Sequence, residues 1–342
     1  MRRFLALLLF LILAGAGWFA YTFYVPYEGF SAPGVFVEIP KGTSVRGISR
    51  LLAAQGVVRN RWTFLALARW RARRTLQAGE YYFTQPEQAF QVYDTLAAGK
   101  AFEISVTVPE GFNTIQIGAL LEQNGLMTRQ AFLDATKDTT PIHDLAPNAP
   151  SVEGFLFPST YEFPHHVTPG QVISAMTAQF RSHWSALTAA DAPGDNRTPQ
   201  EIVTLASLVE SETPKPAERP IVARVFLNRL KLGLPLQCDP TVIYGMEQAG
   251  VYTGTLTGAD LRFESAYNTY HHQGLPPGPI ANPGEASLRA ALEPADVDYL
   301  YFVADTQGGH LFSRTLEEHN RNVTRYRKLL RQNSQEPSGA AQ

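Results

Sequence analysis

Two glutamic acids, Glu210 and Glu212, stand near the predicted end of one helix. Thr198, followed at once by a proline and three positions later by Glu201, is typical of a residue that caps the start of a helix. Pro214 disfavours helical structure in the residue before it, so the helix is expected to end there. The sequence therefore predicts that both carboxyl groups lie in the last turn, at the unfavourable end of the helix dipole.

A carboxyl group at this position could serve as a general acid. Beside apolar side chains its pKa should be raised, which suits proton donation near neutral pH. At about 100° of rotation per residue the two glutamates face nearly opposite sides of the helix, so only one can line a given cleft. The alternative is that both are ordinary surface residues, because acidic side chains are common on exposed helix ends. The apolar stripe consists of Ile202, Leu205, Ala206 and Val209.

Three later segments combine polar and aromatic side chains with rigid turns. Amide, carboxylate and hydroxyl groups can pair with the hydroxyls of a sugar, while tyrosine rings can cover its C–H surface. The pattern indicates a carbohydrate site, although stretches rich in proline and glycine are also common as plain loops. An aromatic segment at 153–161 is either a packed loop or one wall of a binding cleft. The three segments are 237–245, 265–270 and 274–284.

The chain begins with two arginines after its first residue and then runs from Phe4 to Phe23 without a charged residue. About twenty apolar residues are enough to span the hydrocarbon core of a bilayer as a helix. The arginines predict a cytoplasmic N-terminus, so residues 1–25 are expected to form a single-pass membrane anchor and the remainder is expected to be extracytoplasmic. The alternative is a cleaved signal peptide, because Ala14-Gly15-Ala16 resembles a cleavage site.

The remainder of the chain has the composition of a globular protein. Roughly 315 residues exceed what one hydrophobic core usually organises, so two or three domains are expected. The single cysteine, Cys238, excludes an internal disulfide and a redox-active thiol pair. A net charge of -2 with mixed signs gives no electrostatic case for nucleic acid as a partner. The basic cluster at 69–74 is either a solvated helix face or a contact for anionic lipid or polymer.

The order of predicted elements indicates an α+β fold. Residues 35–108 are expected to form a small α+β domain, and residues 109–330 a larger α+β domain that contains the helix with the two glutamates. The polar tail at 331–342 is expected to be disordered. Within the small domain the patterns predict strands at 35–39, 79–83 and 102–108 and helices at 44–54, 61–70 and 90–98.

Six sequence motifs resemble those of one family, the endolytic murein transglycosylases (MltG/YceG-like). The resemblance covers most of the chain and is strongest from 153 to 323, and the motifs are too long to arise by chance. They are LASLVESET at 205–213, DPTVIYG at 239–245, AYNTY at 266–270, GLPPG at 274–278, YLYFVAD at 299–305 and GGH at 308–310.

By this resemblance the domain at 35–108 is LysM-like, and the domain at 109–330 is the catalytic transglycosylase domain. Glu212-Thr213 matches the Glu-Ser/Thr motif of lytic transglycosylases, which points to Glu212 as the catalytic residue and leaves Glu210 as the second candidate. Tyr267-Asn268 resembles the Tyr-Asn motif that lines their cleft. The candidate substrate-binding residues are Gln237, Asp239, Tyr244, Tyr267, Asn268 and Tyr270.

The resemblance implies a carbon–oxygen lyase that cleaves the MurNAc–GlcNAc bond of peptidoglycan without water. The acid protonates the glycosidic oxygen, the C6 hydroxyl of the muramic acid attacks C1, and a 1,6-anhydro-MurNAc end is formed. One carboxyl group can act first as acid and then as base, so the carboxylate pair of most glycosidases is not required. Asp239 could supply a second carboxylate, which would instead give a lysozyme-like hydrolase.

Expectations about partners and cofactors complete this interpretation. Peptidoglycan glycan strands and the inner membrane are the expected partners, and peptidoglycan synthases are a further candidate. No cofactor and no metal are expected, because the adjacent pairs His165-His166 and His271-His272 lack the i, i+4 spacing of a zinc-binding helix. The remaining alternative is a non-catalytic scaffold that is anchored in the membrane and only holds glycan.

Overall fold

The computed structural model describes residues 2–71, 74–189 and 196–335, which fold into two compact units. The first unit contains the residues up to 105 together with 162–166, and the second contains 106–161 and the residues from 167 onward. Helices and strands are mixed along the chain, which confirms the α+β class.

The first unit begins with one long apolar helix, α1 (Arg2–Tyr24). Its stretch Arg3–Tyr24 is long and apolar enough to cross a membrane, and this is compatible with a single-pass anchor. Most of its large apolar side chains are exposed, whereas Phe23 near its C-terminal end is buried. Phe23 belongs to the hydrophobic core of the small fold that follows, so the end of α1 is packed against that fold.

The small fold after α1 is built on a two-stranded antiparallel sheet. Strand β1 (Val35–Ile39) pairs with β2 (Gly79–Phe83), and both strands have the bounds that the sequence predicts. Helices α2 (Val45–Ala54) and α3 (Arg61–Trp70) connect the two strands, and α4 (Ala89–Ala97) packs on α3. The result is a strand–helix–helix–strand arrangement with its own core.

The third predicted strand does not join this sheet. Strand β3 (Ile104–Thr107) instead pairs with β4 (Thr160–Phe163) in a separate two-stranded sheet, and the division between the two units falls within these strands. The hydroxyl groups of Thr107 and Thr160 lie 2.9 Å apart although 53 residues separate them. Local alternation of residue types predicts that a strand exists, but it does not identify so distant a partner.

Three helices belong to the first part of the second unit: α5 (Thr114–Gln123), α6 (Arg129–Ala135) and α7 (Pro169–Thr188). Helix α6 packs on both α5 and α7. The aromatic segment of the sequence lies between α6 and α7, and all its residues from 153 to 158 are buried. Of the two interpretations of this segment, the packed loop therefore describes residues 153–158.

Helix α8 (Pro199–Glu212) lies at the centre of the second unit. Thr198 caps it as predicted: its Oγ1 accepts from the N–H of Glu201, whose carboxylate accepts from the N–H of Thr198. The four residues of the predicted apolar stripe are buried, but burial is not confined to that stripe, because every residue from Ile202 to Val209 is buried. Three helices pack on α8 and keep its other faces from solvent. They are α9 (Arg219–Lys231), α10 (Asp239–Gln248) and α11 (Glu285–Leu292).

The described part of the second unit ends in a hairpin and a helix. Strand β5 (Tyr301–Ala304) pairs antiparallel with β6 (His310–Ser313), and α12 (Leu316–Gln335) packs on both strands. Helix α12 continues through residues 331–335, so the prediction of a disordered tail is wrong for these residues. The rest of that predicted tail lies outside the described residues.

Gly154→Ala should lower the free energy of unfolding. Gly154 has a φ of +85°, and an added Cβ would lie 2.4 Å from the Cβ of Pro279 and 3.0 Å from Cγ1 of Val203. Backbone strain and overlap of this kind each cost about 1–3 kcal/mol. Denaturant unfolding of the full chain in detergent would measure the loss.

The matched control for this substitution is Gly250→Ala. Gly250 has a φ of +70°, but nothing lies within 4 Å of an added Cβ, so only the backbone strain should appear. Equal losses for the two variants would contradict the packing part of the argument.

Candidate active site

Glu212 is the last residue of α8, and its carboxyl group interacts with three other side chains. Burial raises the pKa of Glu212 to about 7, opposed by a hydrogen bond from the Cys238 thiol. The negative charge of Asp239 adds to this rise in pKa, and the positive charge of His310 opposes it. Near neutral pH the carboxyl group is therefore populated in both its protonated and its ionised form.

The thiol beside this carboxyl group acts only as a hydrogen-bond donor. Cys238 is buried at the N-terminal end of α10, where burial raises its thiol pKa and Glu212 raises it further. The thiol therefore stays protonated, unlike the reactive cysteines of nucleophilic enzymes. The backbone at this point is held by Thr269, whose Oγ1 accepts from the N–H of Cys238 at 3.0 Å.

Asp239 and Tyr270 form a hydrogen-bonded pair next to Glu212. The hydroxyl of Tyr270 donates to Oδ1 of Asp239 at 2.5 Å, and Asp239 is exposed. Burial raises the pKa of Tyr270, and the negative charges of Asp239 and Glu212 also raise it, so the phenol keeps its proton. The pair presents a carboxylate and an aromatic ring, two groups that suit sugar binding.

A second carboxylate on the other side of the site holds His310. Glu218 Oε2 accepts from Nδ1 of His310 at 2.7 Å and from Oγ1 of Thr213 at 3.1 Å. Burial would raise the pKa of Glu218, but the hydrogen bonds from His310 and Thr213 outweigh it and lower that pKa. Because an ionised Glu218 accepts at Nδ1 of the imidazole, it fixes the orientation of the ring beside Glu212.

Glu210, the second candidate, is occupied by other contacts. Its Oε1 accepts from Nη2 of Arg219 at 2.8 Å, and its Oε2 accepts from the N–H of Gly284 at 2.9 Å. The side chains of Glu210 and Arg219 are only 5% and 8% exposed, so this is a buried ion pair. The two glutamates contact different side chains, as their spacing on the helix predicts, and Glu210 connects α8 to α9 and to the start of α11.

Three of the predicted substrate contacts lie inside the protein. Tyr244 is buried and its hydroxyl donates to Glu153. The buried ring of Tyr267 packs edge-on against the ring of Tyr244, with 4.8 Å between the ring centroids. Asn268 is fully buried and donates from Nδ2 to the carbonyl oxygens of Leu261 and Phe263. These side chains shape the loop that carries Tyr270, and the structure brings Asp239 and Tyr270, but not these three, to the carboxyl group of Glu212.

Gln237, another predicted contact, supports the backbone that leads into Cys238. It is exposed and has a φ of +53°, an uncommon conformation for a residue other than glycine. Its Oε1 accepts from Nη2 of Arg229 at 2.6 Å, and its N–H donates to the carbonyl oxygen of Thr269 at 3.2 Å. These contacts stabilise the strained conformation one residue before the thiol.

His310 and Glu218 are site residues that the sequence did not predict, and the role of Glu153 was also not predicted. Glu153 is buried and accepts from the N–H and Oγ1 of Thr114, from Tyr244 and from Asn282. Burial raises the pKa of Glu153 to about 7 in spite of these bonds. Two signals were present in the sequence. Glu153 is an acidic residue within the aromatic segment, and His310 ends the GGH motif, to which the resemblance assigns no role.

The prediction that the chain binds no metal depends on the spacing of its histidines. For the pair His165-His166 the spacing alone is not a sufficient reason. Glu80, His165 and His166 bring ligand-type atoms within 4.8 Å of one another in the first unit. The ring nitrogens Nδ1 of His165 and Nε2 of His166 lie 3.3 Å apart. Residues in a turn can face the same side, so adjacent histidines can converge without the spacing of a zinc-binding helix.

Glu210→Gln and Glu212→Gln should change stability in opposite directions at about pH 8. Glu210→Gln removes the negative charge that pairs with the buried guanidinium group of Arg219. It should lower the free energy of unfolding by about 1–3 kcal/mol. The pKa of Glu212 is raised from 4.5 to about 7 in the folded state, so its ionised form destabilises the fold as pH rises through that range. Glu212→Gln removes this cost and should raise the free energy of unfolding.

Denaturant unfolding at about pH 8 and at about pH 4 tests this pair of variants. The stabilisation by Glu212→Gln should disappear at the lower pH, where the native carboxyl group is already protonated. A loss of stability in Glu212→Gln at the higher pH, similar to that in Glu210→Gln, would contradict the raised pKa.

Comparison with known proteins identifies the family. The sequence model of the YceG-like family matches residues 37–325. The chain is 34% identical over 334 residues to the endolytic murein transglycosylase of Bacillus subtilis, covering 92% of this chain and 91% of that protein. It is 29% identical over 348 residues to the endolytic murein transglycosylase of Streptococcus pneumoniae strain R6, covering 92% of this chain and 63% of that protein. The crystal structure of a YceG-like protein from Listeria monocytogenes is similar at a TM-score of 0.57 and 31% identity, over 85% of this chain and 99% of that one. This chain therefore belongs to the YceG-like family.

Proposed function

We propose that this chain is an endolytic murein transglycosylase that cleaves the MurNAc–GlcNAc bond of peptidoglycan without water, with Glu212 as its catalytic residue. The relatives named endolytic murein transglycosylase support a lytic transglycosylase function and peptidoglycan as the substrate. The observation that carries the assignment of the residue is the raised pKa of Glu212, about 7, beside side chains suited to a sugar. A general acid is most effective when its pKa is near the working pH.

In the first step the protonated Glu212 donates its proton to the glycosidic oxygen. The bond between that oxygen and C1 of the muramic acid breaks, the leaving sugar departs with the proton, and positive charge develops at C1. The carboxylate of Asp239, oriented by the hydroxyl of Tyr270, supplies a fixed negative charge near this position.

In the second step the same carboxyl group acts as a base. The ionised Glu212 accepts the proton of the C6 hydroxyl while that oxygen attacks C1, which forms the 1,6-anhydro ring. Glu212 ends the cycle protonated, so one carboxyl group with a pKa near neutrality serves both steps. No water molecule is consumed, and the enzyme acts as a carbon–oxygen lyase.

The neighbouring carboxylates support a mechanism with one catalytic carboxyl group. Glu210 is held by Arg219 and by the N–H of Gly284, so it has no free oxygen for a substrate. Oδ1 of Asp239 already accepts the hydrogen bond of Tyr270, so this oxygen is occupied and does not activate a water molecule. These contacts favour the lyase over the lysozyme-like hydrolase.

The location and the small unit form part of the same proposal. Helix α1 would anchor the chain in the inner membrane, with the catalytic part in the periplasm and peptidoglycan synthases as candidate partners. The unit at 35–108 would be a LysM-like glycan-binding domain. The order β1, α2, α3, β2 and the antiparallel pairing of its two strands support this assignment.

Glu212→Gln should bind glycan but release almost no anhydro product. Glutamine keeps the shape and cannot donate the proton, and loss of a general acid commonly costs about a hundred- to ten-thousand-fold in rate. Mass spectrometry of digested sacculi would measure the products of the full chain in detergent. Glu210→Gln, assayed at a temperature at which it remains folded, is the matched control and should retain substantial activity.

The products also separate the alternatives. Reducing ends from the native chain would show a hydrolase, and bound glycan without any product would show a scaffold. Normal activity in Glu212→Gln together with an inactive, folded Glu210→Gln would move the catalytic role to Glu210.

His310→Asn should move the alkaline limb of the pH–rate profile to higher pH. The positive charge of His310 opposes the raised pKa of Glu212, and without it Glu218 also loses a partner and stays negative nearby. Both changes favour the protonated form of Glu212. The pH dependence of kcat/KM would measure the shift, with the exposed His271→Asn as the control. A lower kcat/KM at every pH without a shift of the alkaline limb would contradict the prediction and would give His310 a purely structural role.

A further inference from the structure

Two tryptophans project from helix α3 of the first unit. Trp62 and Trp70 are 62% and 81% exposed, and with Ala66 they follow an i, i+4, i+8 pattern along one face of the helix. Large indole rings with this exposure on one face are unusual for a helix that contacts only water. Tryptophan is enriched where a membrane meets water, because its ring is apolar and its N–H is polar.

Helix α3 lies beside the C-terminal part of α1. Arg59, just before α3, stacks its guanidinium group on the ring of Tyr21 at 4.7 Å. At the other end of α3, Trp70 lines a groove shared with α1 and α4, whose walls include Ala16, Phe19, Ala20, Ala66 and Phe90. Since a helix rises about 1.5 Å per residue, α3 crosses α1 within roughly 12 Å of its C-terminal end. A spanning α1 would place α3 at the boundary where the hydrocarbon core meets the lipid headgroups.

The charged side chains of this face are basic, and the nearby carboxylate of Asp94 is already paired with Arg71 at 2.8 Å. Arg61, Arg69 and Arg74 are exposed, and the guanidinium group of Arg61 covers the ring of Trp62 at 4.5 Å. Helix α3 itself contains no acidic residue. Tryptophan combined with arginine on one face is the pattern of helices that lie in the interface of an anionic membrane.

We propose that the face of α3 formed by Trp62, Ala66 and Trp70, with its three flanking arginines, lies in the headgroup layer and binds anionic phospholipid. The inference rests on the proposed anchoring through α1 and goes beyond it, because it gives the first unit a second, surface-bound attachment to the same membrane.

Quenching of tryptophan fluorescence by brominated phospholipid chains tests the proposal on the full chain in liposomes. The chain has four tryptophans, so four variants can each keep one of them and carry phenylalanine at the others. Trp18 reports insertion of α1, Trp62 and Trp70 report α3, and the buried Trp184 of α7 is the internal control. We expect quenching of Trp18, Trp62 and Trp70 and none of Trp184.

The outcomes separate this inference from the proposed anchoring. Quenching of Trp18 without quenching of Trp62 and Trp70 would overturn the role of α3 while leaving the anchor intact. An unquenched Trp18 would overturn both. Quenching of Trp184 as strong as that of Trp70 would show nonspecific adsorption and would also overturn the proposal.

A second arm tests the charge. Quenching of Trp70 should be greater in liposomes containing phosphatidylglycerol than in phosphatidylcholine alone, and Arg61→Gln with Arg69→Gln and Arg74→Gln should abolish that difference. The matched control replaces three exposed arginines of α12 by glutamine and should preserve it. Equal quenching of Trp70 in both lipids would overturn the recognition of anionic headgroups. The control positions are Arg325, Arg327 and Arg331.

Discussion

Helix α8 is enclosed by other helices over most of its length, so carboxyl groups at its C-terminal end have lost much of their water. A carboxylate in such a position must gain a positive partner or keep its proton. The chain uses both solutions two residues apart. Glu210 pairs with Arg219 and stabilises the packing of α8 on α9, whereas Glu212 retains a pKa of about 7 and is left available for chemistry.

Three groups around Glu212 keep one protonation state near neutral pH. Burial raises the pKa of the Cys238 thiol and of the Tyr270 phenol, so both remain protonated donors. Hydrogen bonds lower the pKa of Glu218, which remains an acceptor for His310. The proton on Glu212 can therefore leave and return without changing the protonation of these three groups, and an acid that must later act as a base requires that behaviour.

Those features of the site that depend only on neighbouring residues in the chain could be predicted from the sequence. The cap at Thr198, the prolines after Thr213 and the helical period placed both glutamates in the last turn and predicted the raised pKa of Glu212. Motifs supplied the family. The α+β class and the elements of the small fold also followed from local patterns, because strand and helix periodicities are local properties.

The sequence could not supply the long-range contacts. From the residues, the helical period showed that Glu210 and Glu212 face different sides of α8. It did not identify Arg219 as the partner of Glu210, because that contact depends on the packing of α9 on α8. Tyr244 and Asn268 have the side chains of sugar contacts, but their polar groups are used inside the protein. The pairing of β3 with β4 and the approach of His310 join segments far apart in the chain, which no local pattern encodes.

The central claim is that the carboxyl group of Glu212 titrates near neutral pH, so that it can donate a proton and later accept one. Infrared difference spectroscopy across a pH titration measures it directly, by subtracting the spectra of Glu212→Gln from those of the native chain. We expect this difference to contain a protonated carboxyl band that is lost with a midpoint near 7, while the band of Glu153, which both chains carry, cancels. A midpoint near the ordinary value of 4.5 would contradict it.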